Sequence, residues 1–215
     1  MEQQPLVSVV IPVYNMEAYL EETVRSVQAS TYPSLEIILM DDGSKDQSLA
    51  VARRLAEEDP RIHVYTQPNG GVSEARNQAI ARAKGSLILP VDADNTIHPA
   101  FITEAVRELL RSDEVKVVCP RSDFFGDRSG EWILPPFSLH LLARKNIMDT
   151  CAMYRKTDWE RVHGYCREII AREDWEFWIA VLKNGGKVVR LPEIRLHYRV
   201  RNQSKRVGDR QLKRH

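Results

Sequence analysis

Hydrophobic and polar positions along this chain switch between strand-like runs and helical spacing, and the alternation predicts a series of β-loop-α units. Leu6-Val-Ser-Val-Val-Ile11 reads as a buried central strand ended by Pro12. After Tyr14-Asn15, the spacing of Leu20, Val24 and Val27 predicts an amphipathic helix. Glu36-Ile-Ile-Leu-Met40 is the next strand and Asp41-Asp42-Gly43 a turn. Ser44-x-x-Gln47 then reads as a capping-box entry to a helix through Leu55. Ile62-His-Val-Tyr65 is a short third strand. A helix from about Ser73 to Lys84 closes at Gly85 in the C-cap position, and Ser86-Leu-Ile-Leu-Pro-Val91 is the following strand.

Further on, Phe101, Ala105, Val106 and Leu109 stripe a helix from Phe101 to about Arg111, and Val115-Lys-Val-Val-Cys119 is another strand. The alternation then weakens. Residues 121–150 mix Gly126, Gly130, Pro135 and Pro136 with aromatics, which predicts a hairpin or irregular excursion suited to an acceptor-binding insert. A helix from about Arg172 to Asn184, ended by Gly185-Gly186, precedes a final strand Lys187-Val-Val-Arg-Leu191. Such a series predicts an α/β protein with a doubly wound, mainly parallel sheet.

At 215 residues and 43% hydrophobic content, one domain spanning 1–204 is the simplest organisation, with halves of about 6–95 and 96–204. The net charge of +1 hides an asymmetry. Residues 199–215 hold seven Lys or Arg against Asp209 alone, leaving that tail at +6 and the rest at −5. A basic tail over 205–215 suits phosphates or an anionic lipid surface, or is a solvated terminus. Cys119, Cys151 and Cys166 form no C-x-x-C pair, so buried reduced thiols are expected rather than a disulfide framework or zinc site. Met1 to Leu6 lacks the regions of a signal peptide, and no apolar run approaches the ~18 residues that span a bilayer. The expected location is cytoplasmic, with any membrane contact peripheral.

The chemistry concentrates where strands end. Pro90-Val-Asp92-Ala-Asp94-Asn95 places two carboxylates after a buried run, at the carboxyl edge where open α/β sheets bind ligands. Paired oxygen ligands there suit a divalent cation and a diphosphate. Ile11-Pro-Val-Tyr-Asn15 replaces the G-x-G-x-x-G turn of dinucleotide folds, which argues against a nicotinamide enzyme of that type. Tyr14 offers a stacking surface and Asp42 a hydrogen-bond acceptor for a base or ribose. Asn69-Gly-Gly-Val-Ser73 either brings Arg76 towards an anion or is a plain helix N-terminus with a surface Arg, and Ala75, Ala79 and Ala83 suggest one face of that helix pressed on the sheet. In Arg172-Glu-Asp-Trp-Glu-Phe-Trp178, first-turn acids suit the helix dipole, or one of them is a general base beside aromatic walls. His197 is a structural residue, or it completes a metal shell or touches the diphosphate.

Together, Val7-Ser-Val-Val-Ile-Pro-Val-Tyr-Asn15, Met40-Asp-Asp-Gly-Ser44, Asn69-Gly-Gly-Val-Ser-Glu-Ala-Arg-Asn77, Asp92-Ala-Asp94, Glu173-Asp174 and Tyr198-Arg199 resemble the family-2 glycosyltransferases of the GT-A fold, from about Leu6 to Ser204. The resemblance implies an inverting, nucleotide-sugar-dependent transferase, usually with a UDP-sugar donor and Mg2+ or Mn2+. It assigns Pro12, Tyr14 and Asp42 to the base and ribose, Arg76 to the base or phosphates, and Asp92 to ribose or metal. Asp94 becomes the principal metal ligand, Asp174 the general base, Glu173 its support, and His197 and Arg199 part of a C-terminal segment that folds over the donor. Asn95 departs from the pattern where many relatives carry another acid. The Q-x-x-R-W signature of processive synthases is absent, which favours transfer of one sugar per encounter. The implied setting is bacterial surface glycan assembly: lipopolysaccharide, capsule or exopolysaccharide. Two alternatives remain open: a non-catalytic nucleotide-sugar-binding assembly protein, and a sugar-1-phosphate nucleotidyltransferase. Nucleic acid is not an expected partner.

Overall fold

Continuous apolar runs form the centre of the sheet in this computed structural model, which describes residues 4–169 and 171–201. Strand β1 (Val7–Val13) is buried along nearly its whole length and β2 (Leu35–Asp41) along all of it. Burial on both faces is what parallel strands covered by helices require. Between them runs helix α1 (Leu20–Gln28), followed after β2 by α2 (Ser48–Glu58), β3 (Ile62–Thr66), α3 (Val72–Arg82) and β4 (Leu87–Pro90). The second half contributes β5 (Thr96–Ile97), α4 (Phe101–Leu110), β6 (Val115–Gly126), β7 (Gly130–Trp132), α5 (Leu139–Leu142), β8 (Met153–Arg155), α6 (Lys156–Arg161), α7 (Glu173–Leu182) and β9 (Lys187–Val200).

The strands join one sheet in the order β3-β2-β1-β4-β8-β6-β9-β5, with β7 paired to β6. The first four are mutually parallel, as is the long β6–β9 pair, whereas β8 is antiparallel to both β4 and β6. Alternate side chains go to opposite faces of each strand. Val9, Ile11, Ile37 and Leu39 thus meet α1, α2 and α4 on one side. Val10, Ile38, Met40 and Ile88 meet α3 and α7 on the other. The doubly wound α/β arrangement follows. Because β1 lies between β2 and β4, the winding reverses there, and the crevice at the carboxyl ends receives Tyr14, Asp42 and Asp92.

Several sequence expectations give way in the structure. Pro12, expected to end the first strand, lies within β1 and pairs with Met40. Ser44 and Gln47 form no capping box: α2 starts at Ser48 with no side-chain cap. Ser44 Oγ instead accepts from the Asn15 amide, and the Gln47 amide donates to Glu17. Gly85 is not a helix cap, since α3 ends at Arg82 with Ala83 extended. Its amide donates to Ser8 Oγ and Glu36 Oε1, and a Cβ there would lie 2.6 Å from the Leu6 carbonyl oxygen. The last strand does not stop at Leu191 but continues to Val200, so His197, Tyr198 and Arg199 lie on it. Finally, the three cysteines are free as expected, yet Cys166 is only half-buried. Within 121–150, the hairpin reading corresponds to β6 and β7. The tail over 205–215 lies outside the described residues.

Candidate active site

Asp42, at the end of β2, is 3% exposed and accepts from Gln67 Nε2, the Gly70 amide and the Gly71 amide at 2.8, 2.8 and 2.9 Å. Its carboxylate thus fixes the loop that starts α3, where Gly71 takes φ of 86°. Tyr14 is 41% exposed at the end of β1, and Pro12 is half-buried beside it. Asn15, in a left-handed conformation, accepts from the Lys45 amide.

Arg76 is the hub. Its side chain is 3% exposed on the sheet side of α3, as the alanine face of that helix requires. One guanidinium nitrogen donates to Asp92 Oδ1 and another to Glu173 Oε1, each at 2.8 Å, and the plane lies 5.5 Å from the Tyr165 ring. The two acids raise its pKa against the cost of burial. Asn77, next on α3, accepts from Trp159 Nε1 and the Tyr165 amide and donates to the Tyr165 carbonyl, so the same helix turn also holds the segment before α7.

Asp94 follows on the turn after β4. Burial, then the charge of Asp92, push its carboxyl up to about 6, while Arg201 and Arg199 pull it down. Arg201 reaches its Oδ2 at 2.8 Å. Arg199 donates from its backbone to Asn95 Oδ1 and from Nε to the Asp94 carbonyl, both at 2.9 Å. Its guanidinium also pairs with Glu22 and lies over Tyr19 and Phe125. The end of β9 is therefore drawn across Asp94 and Asn95. Asn95 does more than replace an acid: it is 1% exposed and anchors that strand.

Asp174 lies in the first turn of α7, after two residues with positive φ, Ala171 and Arg172. Its Oδ2 accepts from Asn146 Nδ2 at 2.9 Å and its Oδ1 from the Trp175 amide at 2.8 Å. Burial raises its pKa and Glu173 adds to that, opposed by Asn146 and Arg76. His197 turns elsewhere, with Nδ1 2.7 Å from Asp123 Oδ1. The described residues hold no group of three or more His, Cys, Asp or Glu side chains that could bind a metal, so this structure does not gather His197 with Asp92 and Asp94.

The acid pair nevertheless fits a divalent cation. Asp92 and Asp94 offer carboxylate oxygens two residues apart, the charge of one raising the other's pKa, and a Mg2+ or Mn2+ ion held by them would relieve that repulsion. Among the residues that sequence reasoning did not single out, Arg201 carried a signal: it lies two places beyond Arg199, at strand period. Asn146 carried none.

The family model described as Glycosyl transferase family 2 matches residues 8–173. The chondroitin synthase of Pasteurella multocida is 29% identical over 196 residues, covering 88% of this chain and 20% of that protein. The chain spans 20% to 38% of the length of four of the curated relatives it matches. Among solved structures, Staphylococcus aureus TarS 1-349 in complex with UDP-GlcNAc superposes with a TM-score of 0.79 at 21% identity, covering 93% of this chain and 60% of that one. The mannosyltransferase PcManGT of Pyrobaculum calidifontis, in complex with GDP-Man and Mn2+, gives a TM-score of 0.75 at 19% identity, over 96% of this chain and 60% of that one. These likenesses identify the fold as GT-A.

Proposed function

The chain belongs to glycosyl transferase family 2, and from that premise we propose that it transfers a single sugar, with inversion, from a UDP-sugar to a hydroxyl of a glycan or lipid-linked acceptor. Asp174 takes the proton from the acceptor hydroxyl. That oxygen bonds to the anomeric carbon as the carbon's bond to the diphosphate oxygen breaks, and the nucleoside diphosphate departs with the electron pair. Burial leaves the carboxylate enough proton affinity for this task. Pro12, Tyr14 and Asp42 bound the base and ribose end, Asp42 chiefly by fixing the 67–71 loop. Arg199 closes the strand end over the diphosphate. A Mg2+ or Mn2+ ion held by Asp94 and Asp92 supplies charge stabilisation for the leaving diphosphate. His197 keeps Nδ1 on Asp123, which leaves Nε2 as the nitrogen it would offer to that shell.

One observation carries the reading: a single buried guanidinium, Arg76, bonds both Asp92 of the donor side and Glu173 beside the base. A passive binding module has no need to tie these two acids together. The TarS complex with UDP-GlcNAc and the PcManGT complex with Mn2+ support the donor class and the metal. The test is turnover of a UDP-sugar panel with Mn2+. Asp94→Ala and Asp174→Asn are each expected to lose at least ~100-fold; full activity in both overturns the assigned roles.

The setting proposed is the cytoplasmic face of a bacterial membrane, in surface-polysaccharide assembly. No helix among the described residues is long and apolar enough to cross a membrane. The basic residues 205–215 would meet anionic lipid, and deletion of that tail is expected to abolish binding to phosphatidylglycerol vesicles.

A further inference from the structure

The excursion between β7 and β8 delivers a side chain to the base. Arg190 on β9 pins it, donating to the carbonyls of Leu134, Pro135 and Ile147 at 3.0, 2.7 and 3.1 Å. Trp175 Nε1 donates to the Leu142 carbonyl at 2.6 Å, so the first turn of α7 is tied to the same segment. Between these two anchors stands Asn146. Its Oδ1 accepts from the Met148 amide at 3.2 Å, which fixes the amide orientation and leaves Nδ2 facing Asp174 Oδ2 at 2.9 Å. The group that meets the carboxylate is therefore a donor on an anchored segment.

From this geometry we infer that Asn146 is a positioning residue: it holds Asp174 by one oxygen and favours its ionised form, so that a partly buried carboxylate stays able to accept a proton. The inference rests on Asp174 being the base. A hydrogen bond to the charged form favours that form, and burial disfavours it. The remaining charged or titratable neighbours are fixed by other contacts. Glu173 is bound to Arg76 from α3, and the Tyr165 phenol meets the Tyr154 phenol. Asn146 is the neutral partner whose loss alters the balance without adding or removing a charge.

The experiment uses the whole chain with 13C-labelled aspartate side chains, Asp174→Asn assigning the resonance. In Asn146→Ala the Asp174 titration midpoint is expected to rise by about one pH unit. The acidic limb of Mn2+-dependent UDP-GlcNAc hydrolysis moves up with it. Asn146→Leu keeps the size of the side chain without a donor or a charge and is expected to give the same rise; it serves if the alanine variant fails to fold. Asn146→Ser, with a shorter donor, returns part of the shift. An unmoved midpoint in folded Asn146→Ala or Asn146→Leu overturns the inference. Full hydrolysis in Asp174→Asn overturns instead the reading of Asp174 as base.

Discussion

A guanidinium nitrogen of Arg76 stands 2.8 Å from Glu173 Oε1 across 97 positions of sequence, with the two side chains 3% and 12% exposed. Another nitrogen of the same guanidinium holds Asp92. Two acids from distant parts of the chain thus depend on one buried cation, which makes the pairing a test of both fold and site.

Arg76→Met leaves Asp92 and Glu173 facing each other without a cation. Breaking a buried pair by removing one partner costs about 3–5 kcal/mol. The urea midpoint should fall by that equivalent with the slope unchanged. Arg76→Lys supplies charge but not the planar fork that reaches both acids, so only part of the loss should return. A midpoint equal to wild type in Arg76→Met would show that the two acids find other partners.

Asp174 has its pKa raised above 3.8 in the folded state, by burial first and Glu173 second. Between the ordinary and the raised value the folded chain binds more protons than the unfolded one, so stability falls as pH rises through that window. Asp174→Asn is neutral throughout. It should therefore be more stable than wild type at pH 7.5, the difference closing as the pH falls through that window and vanishing below 3.8, while turnover is lost. Denaturant midpoints of both proteins at pH 7.5 and 3.5 measure this; equal midpoints at pH 7.5 would contradict it.

Arg201 reaches Asp94 Oδ2 at 2.8 Å, one of the two oxygens with which Asp94 would hold the proposed cation. A charge-assisted hydrogen bond of this kind competes with metal binding by about tenfold. Calorimetric titration of Arg201→Met with Mn2+ in the absence of donor should show tighter binding than wild type. Weaker or unchanged binding would mean that Arg201 leaves Asp94 at no cost, or that Asp94 is not a ligand.

Gly85 packs where no side chain fits: a Cβ would lie 2.6 Å from both the Leu6 carbonyl oxygen and Ser8 Oγ. Backbone in a central strand cannot move aside, so Gly85→Ala should cost about 1–3 kcal/mol of unfolding free energy. The amides of Lys84 and Gly85 both donate to buried Glu36, and Glu36→Gln should weaken the same turn. A stable Gly85→Ala protein would show that the β1–β4 edge opens more readily than its packing suggests.

Much of the site was legible because it lies at the ends of strands whose apolar runs are self-evident. Leu35–Asp41 and Leu87–Pro90 are buried along their whole length, and Asp42, Asp92 and Asp94 follow directly after such runs. Less of β9 was legible. Arg195 and His197 interrupt its apolar pattern, and its course to Val200 is set by pairing with β6 rather than by its own hydrophobicity. Ser44 misled for a similar reason: Asn15, 29 positions away, provides a better donor for its hydroxyl than the helix it precedes.

The sequence by itself determined the winding of the sheet and the set of acids at its carboxyl edge, since local periodicity and strand ends fix where side chains emerge. Tertiary structure alone decided their partners. Arg76 meets both Asp92 and Glu173, Arg201 meets Asp94, His197 meets Asp123, and Asn146 meets Asp174. A buried charge or polar group must find a partner wherever the fold brings one within about 3 Å, and sequence separation has no bearing on that distance.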